Sequence, residues 1–320
     1  MPLANQTSNA DSSRAGQFYN GVGYVGVSNS TLGTLTIGRQ NSLSLDGVIE
    51  YDPMGAAYAF SVIGWSGLTA GGGDTEDARI TTAVKYRNQI GPLRIGALAQ
   101  IGGYEANNGA QSVYQGQIGG DIGLPYGKLS VDLIGSFYKG AISSGISKLP
   151  NTTAATISDD TSLMLLGKWT YNQFKISGGY ELIRFQNPSN PVLGNFTDIS
   201  GINIVYNGVG GNINNVAYNN ARVQQVFWIG GRYAFTETVN AGLAYYHYYQ
   251  NNYAAKACSN SSAGNCSGAL DAVSFDVDWQ FAKKFDIYAG VMFSEVSNGL
   301  SSSYLHAENL APTAGVRFKF

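Results

Sequence analysis

The side chains of this chain able to do chemistry fall in a few places. Six carboxylates, Asp46, Glu50, Asp52, Asp74, Glu76 and Asp77, lie within residues 40–78, and the bases Arg79, Lys85, Arg87 and Arg94 follow closely. The run Asp74-Thr75-Glu76-Asp77 has the clustered acids that suit Ca²⁺, but it lacks the spaced ligands of an EF-hand loop, and no metal is expected there. Hydrolysis usually needs a histidine next to a nucleophile or carboxylates. The only histidines are His247, set among Tyr245, Tyr246, Tyr248 and Tyr249, and His306 in the last loop near Glu308; neither belongs to a recognisable triad. Gly21-Val22-Gly23-Tyr24-Val25-Gly26 matches a dinucleotide fingerprint, yet no helix follows, and that reading needs strand, turn and helix in order. Cys258 and Cys266 sit in a Ser/Asn/Gly-rich loop without histidine. Two thiols are too few for a zinc site and fit a local disulfide in an oxidising compartment. Neither catalysis nor a cofactor is expected.

The elements that must carry these groups are strands. The chain has 320 residues, 12% charged, with 42 glycines and 21 tyrosines. Charge is about half the usual quarter of a soluble protein, and Gly is nearly double its usual share of roughly 7%. No apolar run approaches the ~20 residues of a membrane helix, so any membrane crossing must use strands. A net charge of −2 gives no reason to expect nucleic-acid binding.

Strict alternation of apolar and polar residues marks a strand with one greasy and one wet face. Val273, Phe275, Val277, Trp279 and Phe281 face one way, and Ser274, Asp276, Asp278 and Gln280 the other. The next strand repeats the pattern, with Phe285, Ile287, Val291 and Phe293 opposite Asp286, Tyr288 and Ser294. The chain closes on Val316-Arg317-Phe318-Lys319-Phe320 in the same alternation. Thirteen segments read this way: 19–28, 31–39, 79–88, 92–102, 112–123, 127–139, 160–171, 173–185, 222–234, 237–250, 270–281, 284–296 and 310–320. Short turns alternate with long polar loops near 40–78, 103–111, 141–159, 186–221, 251–269 and 297–308. Short turns on one side and long loops on the other are the pattern of an up-and-down transmembrane barrel. The expected class is all-β, an antiparallel transmembrane β-barrel, with residues 19–320 forming it.

Particular motifs sharpen this. Thr34-Leu35-Thr36-Ile37-Gly38-Arg39-Gln40, then Tyr51-Asp52-Pro53-Met54, Gly71-Gly72-Gly73-Asp74-Thr75-Glu76-Asp77-Ala78-Arg79 and Val84-Lys85-Tyr86-Arg87 occur in that order. The chain resembles the general diffusion porins of Gram-negative proteobacteria over essentially its whole length. The resemblance implies a trimeric sixteen-stranded barrel in the outer membrane. It also implies an inward-folded constriction loop at 40–78 and an assembly signal at Phe320 read by the barrel-assembly machinery. If 40–78 is that loop, the thirteen strands correspond to family strands four to sixteen. Residues 1–18 are then the remnant of an extracellular loop, with three strands and the export signal expected upstream of Met1.

The resemblance places Asp46, Glu50 and Asp52 where constriction acids fall. Acids on such a loop facing bases on the wall make a transverse field that screens solutes by charge and size. Arg79, Lys85 and Arg87 share the inward parity of their strand, and Arg94 faces inward on the next. Arg39 shares parity with Leu35 and Ile37 and should point outward. With acids kept and part of the family's basic cluster absent, a weak cation preference is expected, for a channel passing small hydrophilic solutes and ions. The alternative is a sugar-specific channel, in which Tyr246 and Tyr248, on the inward parity, would stack on sugar rings.

Overall fold

A computed structural model describes residues 22–57, 59–64, 79–100, 112–143, 154–186, 204–206, 209–211, 220–256, 258, 263–303 and 306–319. Thirteen strands form one antiparallel sheet in which each pairs with its sequence neighbours: β1 (Gly23–Asn29), β2 (Gly33–Asn41), β3 (Arg79–Ile90), β4 (Leu93–Gln100), β5 (Val113–Leu124), β6 (Gly127–Ser143), β7 (Ala154–Tyr171), β8 (Phe174–Gln186), β11 (Arg222–Ala234), β12 (Val239–Gln250), β13 (Gly268–Ala282), β14 (Phe285–Asn298) and β15 (Glu308–Phe318). A separate small hairpin, β9 (Ile204–Tyr206) with β10 (Val209–Gly211), lies between β8 and β11. Among the described residues the large sheet is not closed, and β1 and β15 stand at its two edges.

Alternation decides which face each side chain takes. Along β13, Val273 and Phe275 are exposed outward while Ser274 and Asp276 are buried on the other face. The inner face is concave, because the segment after β2 touches strands far apart in the sheet. Its helix α1 (Leu43–Tyr51) packs against β4 to β8, and Phe60 further on meets Tyr288 of β14 edge to face at 6.2 Å. At the short-turn end the outward face carries aromatic residues in contact from strand to strand. Phe174 of β8 meets Tyr233 of β11 at 4.6 Å and Phe285 of β14 meets Phe318 of β15 at 4.9 Å, while Trp169 stacks on Tyr171 along β7 itself at 5.7 Å. Such amphipathic rings settle at a membrane–water boundary.

Three departures from the sequence reading have local causes. The β6–β7 hairpin runs past its expected ends, pairing Ala141 with Thr156 and Ser143 with Ala154 beyond a bulge. Ile142 and Thr156 are strand formers that extend the ladder, and Ile157 is the extra residue at the bulge. The segment after β2, expected as loop, contains α1, capped by Ser42, whose Oγ accepts from the Leu45 amide at 3.0 Å. Alternating Leu43 and Leu45 with Gly47 hide its helical period. The third is a bulge between Gly38 and Gln40 that sets Thr81 and Thr82 opposite Arg39. Gly38 takes φ +133°, and a Cβ there would lie 2.5 Å from the Gly23 carbonyl oxygen. The bulge breaks the step between Arg79 and Lys85, so Ile80 and Ala83 are the buried residues on either side of it. Arg79 therefore does not alternate with Lys85 as expected.

Candidate functional site

The site is the concave face together with the segment folded onto it. Gly47 lets α1 lie close to the wall, since a Cβ there would come within 2.7 Å of Leu166 and 2.9 Å of Ile134. The start of the helix is held by Gln115 of β5. Its Oε1 accepts from the Leu43 amide at 2.6 Å, while its Nε2 donates to Ser44 at 2.9 Å and Ser136 at 3.1 Å. The end is held by Tyr51. Its hydroxyl donates to Asp132 and accepts from Arg94 at 3.0 Å, and its carbonyl accepts from the Trp228 indole at 3.3 Å. Burial, reinforced by the bond to Asp132, pushes the Tyr51 phenol well above its usual range.

The two acids flanking the helix behave differently. Asp46, in the first turn, forms ion pairs with Lys85 and with Arg87, the latter at 2.6 Å, and accepts from Asn41 at 3.0 Å. An acid in a first turn also suits the helix dipole. Asp52, the C-cap, is only 5% exposed. It accepts from the Tyr246 hydroxyl at 2.7 Å and from the Ala56 amide at 2.7 Å and the Met54 amide at 3.2 Å. Burial raises its pKa above 3.8, and those hydrogen bonds, with one from Ser61, pull the other way. Asp52 was expected to project a field. It is buried, with its oxygens taken up by the turn at Pro53–Ala56 and by Tyr246, and it also lines the cavity between the segment and the wall.

Among the described loop acids, Glu50 is the one that projects. It is paired with Lys168 of β7, and the two border a cavity of about 1010 Å³ between the segment and the wall of β7 to β15. The charged wall here was not singled out from the sequence: Lys168, Lys175, Arg232, Asp276, Asp278 and Arg317. Arg232 bonds Asp276 at 2.9 Å and reaches the Pro53 carbonyl at 3.4 Å, while Arg317 bonds Asp278 at 2.7 Å. Among the described residues Lys175 has no ion-pair partner. The inward parity of Lys175, Asp276, Asp278 and Arg317 was readable in the alternation; their position opposite the folded segment was not. A second cavity of about 630 Å³ lies between Glu50 and the β5–β6 and β7–β8 turns, lined by Arg94, Asp121, Lys128 and Lys168 among others. Among the described residues, Arg94 pairs with Asp121 and Asp132 and donates to the Tyr51 hydroxyl.

The remaining expected residues are placed as follows. Asp74, Glu76, Asp77 and Phe320 lie outside the described residues. Cys258 and Cys266 form a disulfide between β12 and β13. Arg39, half-buried, donates to the Arg79 carbonyl at 3.2 Å. Tyr246 and Tyr248 face inward but are fully buried. His247 faces outward and bonds Asp271 at 2.8 Å.

Comparison with known proteins now adds to this geometry. A family profile described as Gram-negative porin matches residues 3–299. No curated protein sequence matches the chain. Among solved structures, OmpT, an outer membrane protein of Vibrio cholerae, aligns with TM-score 0.61 at 18% identity, covering 93% of this chain and 79% of its own. An anion-selective porin from Comamonas acidovorans aligns with TM-score 0.61 at 15% identity, covering 94% and 78%. At such identities these two likenesses speak to the fold alone.

Proposed function

The chain belongs to the Gram-negative porin family and is an outer-membrane channel, and from that premise we propose that it passes small hydrophilic solutes and ions by passive diffusion, with the segment after β2 as its constriction. The observation that carries this is the docking of α1 and residues 52–57 and 59–64 on the concave face, beside a cavity with charged walls. Water-filled lumens filter by diameter and by the charges that ring them. The protein acts as a channel rather than a catalyst; no covalent step is needed.

Selectivity on this reading is weak, because nearly every charge around the larger cavity has a counter-charge. Arg232 offsets Asp276, Arg317 offsets Asp278, and Lys168 offsets Glu50. The slight cation preference rests on the loop acids Asp74, Glu76 and Asp77, with Lys175 acting against it. Sugar specificity is the weaker reading, since Tyr246 and Tyr248 are 0% exposed and offer no ring face to a solute. Assembly as a homotrimer in outer-membrane lipid, after recognition of the C-terminal strand and Phe320 by the barrel-assembly machinery, completes the proposal.

The test is reconstitution of the purified protein into planar bilayers. Discrete current steps, ohmic in voltage, with a small reversal potential of cationic sign across a KCl gradient, are expected. Steady absence of steps would overturn the channel reading, and an anionic reversal potential would overturn the ion preference. Saturable block by a sugar would favour the specific channel.

A further inference from the structure

Glu50 and Lys168 belong to both of the cavities described above. Each lines the space of about 1010 Å³ toward β11–β15 and the space of about 630 Å³ toward the short turns of β5–β8. The two side chains meet between these spaces, Lys168 rising from the inner face of β7 and Glu50 descending from the last turn of α1. Glu50 is 61% exposed at its side chain and Lys168 16%, so the lysine is seated in the wall and the glutamate spans the open water.

We infer that the Glu50–Lys168 pair is a strut that divides the passage beside the loop into two and sets its effective width. The inference rests on the channel reading above. The foot of the strut is fixed. The Lys168 ammonium lies 5.4 Å from the centre of the Tyr51 ring, a cation–π contact, and Tyr51 is itself held by Asp132, Arg94 and Trp228. Its head is not fixed by anything else, since Glu50 makes no other described side-chain bond. Lys168 is the specific partner because its ammonium reaches both the Glu50 carboxylate and, at 3.5 Å, the Glu50 carbonyl. Cutting the pair frees Glu50 to swing into water, so the two spaces join. This differs from a screening field: the pair acts as an obstacle whose charges cancel.

The test compares single-channel conductance and the liposome-swelling rates of graded sugars for the wild type, Glu50→Gln, Lys168→Met and the doubly reversed Glu50→Lys/Lys168→Glu. Each single variant should raise conductance on the order of 1.5-fold and admit a larger sugar, and the double reversal should return both readings to wild-type values. Glu50→Gln alters an exposed side chain and keeps the fold testable. Single variants that conduct and exclude like the wild type would overturn the strut. So would a double reversal that stays wide, because a pure charge effect would not be undone by swapping signs. A wild type without current steps would instead strike the channel reading itself.

Discussion

Asp46 and Asp52 stand six residues apart, at the two ends of the same short helix. Both tie the inward-folded segment to the wall, and they do so by opposite physics. Asp46 is a charge among charges, 20% exposed at its side chain and shared between Lys85 and Arg87. Asp52 is withdrawn from water and holds its turn through neutral donors, two backbone amides and the Tyr246 hydroxyl. An ion pair at a wet surface contributes modestly and is screened by salt. A buried acceptor is costly to leave unmatched and indifferent to salt. The difference teaches that an acid near a constriction need not belong to its field.

The largest effect expected from breaking this comparison comes at the buried end. Asp52→Ala strands the Tyr246 hydroxyl and the two amides, and should cost about 2–3 kcal/mol of loop docking or stability. It should appear as a lower unfolding temperature in detergent and as noisy, enlarged current steps. Tyr246→Phe removes one donor and should cost about 1 kcal/mol, read in the same melt. Asp46→Asn removes the counter-charge of Lys85, only 9% exposed, and of Arg87, 45% exposed; it should cost about 1 kcal/mol at low salt, with only the Arg87 share screened in 1 M KCl. A salt series of unfolding temperatures checks this, and equal salt sensitivity in the Asp52→Ala variant would dissolve the contrast.

The smallest effect is titration of Asp52 itself. Its folded pKa is raised, so its protonated form favours the folded loop. That contribution is full below the ordinary carboxyl value of 3.8 and is lost as pH rises through the higher folded value. Asp52→Asn should therefore keep the loop docked at neutral pH and flatten this part of the pH dependence. Melts of both proteins from pH 3 to pH 8 would show it, and a variant with the wild-type slope would contradict the assignment.

Much of this was legible in the sequence, because period-2 alternation is a property of single strands. Val273 to Phe281 and Phe285 to Phe293 announce their faces without any knowledge of neighbours. The alternation that carries Asp276 and Arg317 was likewise readable, though neither was singled out as a residue of the site. The site was less legible, since it depends on which distant residues meet. Asp46 with Lys85 joins positions 39 apart, and Tyr246 with Asp52 joins positions 194 apart. Burial of Asp52 could not be read from its type, because acids are usually exposed. The helix escaped notice because Gly47, Val48 and Ile49 are modest helix formers, and it is docking on the wall, not propensity, that supports it. The change of step between Arg79 and Lys85 was not legible, because a bulge adds one residue that alternation cannot anticipate.

The most direct test of the central claim, that the docked segment is the aperture, is the solute exclusion limit measured by liposome swelling. The protein should be compared with a variant in which residues 43–57 are replaced by a short Gly-Ser turn. The account predicts that the variant still inserts, with native β-sheet dichroism, and admits larger sugars at a conductance raised at least twofold, an order-of-magnitude expectation for removing a constriction. An unchanged exclusion limit in a folded, conducting variant would contradict it.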